Sequence, residues 1–185
     1  MFGRMRKKAA PGPKVEVVSR LSSATIKEMR TPGGRVHIDT ALAATAATAG
    51  TFLLRQLAGD LLDSQSPGTV IIVDSVNEAG PSVLGYAQNA AAAVGIEWDS
   101  SADAIPDDHC PHATHLELVR ALERPLARIL RENAVGRDQW TDYTMLAAVD
   151  LIVRSGPVLD AAIATRIVTS GFVQGAKTVP YPAND

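Results

Sequence analysis

Apolar residues recur at helical spacing through most of this chain. From about Thr40 to Asp63, Leu42, Ala46, Ala49, Leu53, Leu57 and Leu61 follow one another at intervals of three and four, the repeat of one helix face. Asp39 or Thr40 is placed to cap that helix, and Ser66-Pro67-Gly68 stops it. A second stripe, Leu118, Leu122, Leu126, Ile129 and Leu130, predicts a helix to about Asn133. Thr114-His115-Leu116-Glu117 opens it as a capping box, and Pro125 inside it must kink or split it.

The remaining segments are shorter. Residues 15–30 read as a short helix, with Val15-Glu16-Val17-Val18 as a competing strand, followed by a turn at Thr31-Pro32-Gly33-Gly34. Thr69 to Val73 is the most convincing strand, a buried helix start being the other reading. Gly80-Pro81 is expected to open a helix that ends at Gly95. Residues 96–113 have no period and read as a long acidic loop. A further helix fits Asp138 to Ser155. Gly156-Pro157 then marks a stop and restart, Asp160 falls in the first turn of the next helix, and Gly171 and Gly175 fray its end.

The pattern predicts a mainly α fold, a single-domain bundle of about five to six helices with room for one or two short strands. Residues 1–13 read as a flexible basic arm, 14–176 as the helical domain and 177–185 as an extended, proline-bearing tail. There is no internal repeat, sustained heptad pattern or interdomain linker.

Composition strengthens this picture. A chain of 185 residues that is 46% hydrophobic and 21% charged is rich enough in apolar side chains to fold. Aromatics are scarce, and alanine runs such as Ala90 to Ala93 favour helices and close backbone approach. The lone Cys110 excludes an intramolecular disulfide and suits a reducing compartment. No apolar run follows the basic residues before Ala9, so the reading is of no secretory signal. Thr40 to Leu54 is too short and too rich in threonine to span a bilayer. A cytoplasmic protein without membrane insertion is expected.

The net charge of -2 conceals a segregation. Before Val36 stand Arg4, Arg6, Lys7, Lys8, Lys14, Arg20, Lys27, Arg30 and Arg35, against only Glu16 and Glu28. From Gln56 to Val119 there is no Lys or Arg, while Asp60, Asp63, Asp74, Glu78, Glu97, Asp99, Asp103, Asp107, Asp108 and Glu117 all fall there.

Candidate chemistry lies in four places. Asp107, Asp108, His109, Cys110, His112 and His115 gather metal-binding side chains within nine residues, and a divalent ion such as zinc is the cofactor they suggest. Their spacing matches no established zinc signature, and an exposed polar loop with a helix cap is the plainer reading. Arg120, Arg124, Arg128 and Arg131 share one helix face, fit to meet phosphates or an acidic partner, or to form a solvated ion-pair face with Glu117, Glu123 and Glu132. Val73 to Glu78 resembles a strand end carrying acids but lacks a parallel-sheet context, so a turn capping the next helix is favoured. Trp140, Tyr143 and Met145 either line a pocket or belong to the core.

The leading expectation is a non-catalytic interaction or self-assembly module, with its basic arm and acidic centre pairing between copies or with another protein. The rival is a metal-dependent enzyme at His109 to His115. Nucleic acid is disfavoured as a partner, because the chain is not basic overall and carries no recognised nucleic-acid motif.

Overall fold

The computed structural model describes residues 14–99, 101 and 103–182. The basic arm of residues 1–13 and the last three residues of the tail lie outside the described residues. Six helices follow in order: α1 (Val15–Glu28), α2 (Ile38–Leu62), α3 (Asp74–Ala93), α4 (His115–Glu132), α5 (Trp140–Ser155) and α6 (Ala161–Lys177). Single 3-10 turns stand at Asp107–His109 and Arg137–Gln139. No sheet forms among the described residues.

The bundle is organised around α2, which contacts all five other helices. Every residue from Asp39 to Leu54 is buried, so this helix is covered on all sides rather than amphipathic. Its small side chains set how closely α6 approaches. A Cβ on Gly175 would overlap the carbonyl oxygen of Ala47 and sit 2.7 Å from its carbon. One on Gly171 would lie 2.8 Å from the Ala43 carbonyl oxygen, and one on Gly50 2.6 Å from the Ala176 nitrogen. The two backbones therefore touch along a seam of alanines and glycines. Gly171 and Gly175 accordingly lie inside α6 and do not fray it; they are required where no side chain fits.

Other expectations are corrected for local reasons. The backbone at Ala58 leaves the helical region (φ -140°, ψ 22°), which rotates the rest of α2. Ala58 and Leu62 become buried, while Leu57 and Leu61 face solvent. Thr69 to Val73 is not a strand: it is extended and makes one antiparallel bridge, Val70 to Thr178. The Val179 amide donates to the Thr69 carbonyl and the Gly68 amide to the Val179 carbonyl, which buries Val179.

Helix α3 starts at Asp74, so Asp74 to Glu78 form its first turn and Pro81 lies inside it. Pro125 likewise lies inside an unbroken α4. The carbonyls that lose an amide partner belong to Asn77 and Ala121, both exposed. Asp160 is the N-cap of α6 rather than a first-turn residue; its carboxylate accepts from the Ala162 and Ile163 amides. The capping box at Thr114 is present in full. The loop of residues 96–113 is pinned to α6. Trp98 Nε1 donates to Thr169 Oγ1 at 3.2 Å, the Asp99 amide donates to Thr165 Oγ1 at 3.1 Å, and Arg166 pairs with Asp99 at 2.9 Å.

Candidate functional site

A concavity of about 690 Å³ opens between the C-terminal half of α2, one face of α4, the start of α5 and the chain after α6. Helix α4 contributes Arg120, Glu123, Arg124, Ala127 and Arg131 to it. Phe52, Arg55 and Gln56 come from α2, Arg137 from the 3-10 turn, Trp140 from α5, and Tyr181 and Pro182 from the last described segment. Among the described residues, five arginines and one glutamate leave four positive charges in excess.

These arginines are held in two ways. Arg55 is tied at two of its nitrogens: its Nε donates to Glu123 Oε1 at 2.5 Å, and its Nη2 donates to Glu123 Oε2 at 3.0 Å and to the Tyr181 carbonyl at 2.6 Å. That fork neutralises the one carboxylate in the cavity and fixes the Tyr181 backbone. Arg120 instead lies over the Tyr181 ring, 5.2 Å from its centroid, and Arg137 over the Trp140 ring at 5.4 Å. Among the described residues, Arg120, Arg124, Arg131 and Arg137 have no carboxylate within 4.0 Å. Three of the four arginines of the predicted stripe thus line the cavity. Arg128 points elsewhere and reaches Glu132 at 4.0 Å, a residue also bound by Arg20 at 2.9 Å.

The histidine segment is divided between two surroundings, since His37, which meets His112, also lies 3.9 Å from Asp39, which meets His109. His109 Nδ1 faces Asp39 Oδ1 at 3.4 Å, the ring of His112 packs on that of His37 with centroids 3.7 Å apart, and the His112 amide donates to Thr40 Oγ1 at 3.2 Å. His115 instead lines a separate cavity of about 390 Å³ with Cys110, Ser170 and Gln174. Burial there pushes the His115 pKa below the ordinary imidazole value, keeping it neutral. Cys110 is exposed, as are Asp107 and Asp108. Among the described residues no three His, Cys, Asp or Glu side chains are placed to hold a metal ion. Trp140 borders the arginine cavity, while Tyr143 and Met145 are buried in the core.

Sequence reasoning did not connect Arg55, Arg137 or Tyr181 with the arginine stripe, nor Asp39 and His37 with the histidines. Arg55, Tyr181, His37 and Asp39 are dozens of residues away from the groups they meet, and Arg137 is brought in by the 3-10 turn after α4. Trp140 was the one available signal, as a large ring in an alanine-rich chain.

No family model, no curated protein and no solved structure matches this chain. No helix among the described residues is long and apolar enough to cross a membrane.

Proposed function

We propose that this protein is a non-catalytic binding module whose working surface is the arginine-lined cavity, and that the cavity receives an anionic group. The observation that carries this reading is the set of four arginines facing one concavity without a carboxylate partner among the described residues. Guanidinium groups brought together at this density repel one another, and an anion bridging them relieves that repulsion. Among the described residues the lining includes no Ser, Thr, Cys, His or Asp, and its single Glu123 is occupied by Arg55, which favours binding over group transfer.

The test is equilibrium binding of two polyanions of different chemistry, inorganic tripolyphosphate and a hexaglutamate peptide, at low salt. At least one is expected to bind, with affinity falling as salt rises, and to be lost when Arg124 and Arg131 are both replaced by alanine. Failure of both at about 1 mM would end the proposal, since at that level no specific recognition remains.

Self-assembly is a second reading, favoured by the Lys/Arg-free stretch from Gln56 to Val119. A second copy offers that acidic stretch to the arginine face, a head-to-tail contact. Sedimentation velocity at low and high salt decides it; one monomeric mass at both would rule the association out.

A further inference from the structure

Resting on the anion-binding reading above, we propose that the cavity recognises a small phosphate ester or polyphosphate bearing two or more phosphate groups, gripped by Arg120, Arg124, Arg131 and Arg137.

Among the described residues, every cationic side chain around the cavity is arginine and none is lysine. The planar guanidinium fork meets two phosphate oxygens at once, which a lysine ammonium does not. Arg120 and Arg137 lie over the Tyr181 and Trp140 rings, a contact that takes none of their N–H donors, and no described carboxylate pairs with them. Those two groups are therefore aimed before a ligand arrives, which lowers the entropy lost on binding. Arg55 has less freedom, because Glu123 and the Tyr181 carbonyl hold its Nε and Nη2. Its role is to shape the wall.

Charge and size narrow the ligand further. One phosphate monoester carries about -1.5 to -2 charges near neutrality, so two or more phosphates are needed to match the excess of four. The volume of about 690 Å³ suits a compact molecule. An acidic peptide brings one charge per residue on separate flexible stems, and each stem costs entropy to order. A polyphosphate delivers the same charge in one compact group.

The experiment is isothermal titration calorimetry on the full chain with tripolyphosphate, a nucleoside diphosphate, orthophosphate and hexaglutamate. Tripolyphosphate and the nucleoside diphosphate are expected to bind at least about tenfold more tightly than orthophosphate or hexaglutamate. Arg124→Lys combined with Arg131→Lys keeps the charge but removes two forks, and is expected to weaken tripolyphosphate about a hundredfold, near tenfold for each fork. Arg128→Lys, outside the cavity, is expected to change nothing. Both Arg124 and Arg131 are exposed, so these variants fold, which a thermal melt checks. If hexaglutamate binds and the phosphates do not, the anion-binding module stands and the phosphate assignment is overturned. If no anion binds, both fail. If the lysine double variant binds as tightly as the native chain, diffuse charge explains the binding and fork recognition is refuted.

Discussion

Replacing Gly175 by alanine is expected to destabilise this protein, although alanine is the better helix former. Gly175 lies inside α6, where a Cβ would overlap the Ala47 carbonyl oxygen and sit 2.7 and 2.8 Å from the carbonyl carbon and Cα of Ala47. Ordinary Cβ contacts begin near 3.4 Å. Backbone stands on both sides, so no side chain can swing away and the helices must separate by on the order of 1 Å, enough to forfeit a quarter to a half of each dispersion contact along the seam. Overpacking of this kind costs about 3 kcal/mol at the upper end of the usual range. The gain in helix propensity offsets about 1 kcal/mol of it. The remainder, about 2 kcal/mol, lowers the Tm by roughly 4–8 °C in a chain of this size. Gly85→Ala in α3 is the control, because a Cβ there meets nothing within 4 Å. It is expected to raise stability by up to about 1 kcal/mol through propensity alone. Urea unfolding and thermal melts of the two variants give the comparison. A Gly175→Ala protein as stable as Gly85→Ala would refute the claim that direct backbone contact holds α2 against α6.

Three further outcomes are expected. Thr114→Ala removes the side-chain N-cap of α4 and should cost about 1 kcal/mol in urea unfolding; because hydrogen bonds from the Thr114 hydroxyl and amide hold the Glu117 carboxyl below its ordinary range, part of the native cap's stability should fade as pH drops through that range, and the variant, which keeps only the amide, should show less of that dependence. Burial, with the Asp138 charge as a lesser cause, raises the Asp142 pKa, so its contribution to stability is present at low pH and lost as pH rises through the carboxylate range; Asp142→Asn should therefore raise the Tm at pH 7 and leave it nearly unchanged at about pH 3, as a pH series of melts would reveal. Half-buried His115 has a lowered pKa, so the folded state loses stability as pH falls below the ordinary imidazole value near 6.5; His115→Gln should flatten the decline in Tm between about pH 7 and 5, and an unchanged slope would remove His115 as its source.

The arginine cavity was half legible in advance. The α4 stripe followed from spacing alone, because residues three and four apart share a face whatever surrounds the helix. Which of its members turn inward depended on their neighbours. Glu132 draws Arg128 away, whereas Tyr181 and Trp140 supply rings beside the cavity for Arg120 and Arg137. The histidines show the opposite case. Their nearness in sequence suggested one ion, but the residues they meet, Asp39 and His37, come from the start of α2 and the turn before it.

Local chemistry determined the helices. Period, capping box and the turn at Ser66-Pro67-Gly68 are satisfied within a few residues, so they were readable without a partner. Tertiary structure decided what those helices do. Alanine spacing on α2 showed one apolar face, but only packing shows that the helix is covered all round. Gly171 and Gly175 look like helix breakers in isolation and become necessary once α2 lies within backbone contact. Likewise Thr69 to Val73 has the composition of a strand, yet pairing needs a neighbouring strand, and here it finds a single bridge at Thr178. A period is a property of the chain; a partner is a property of the fold, and the seam and the cavity both depend on partners.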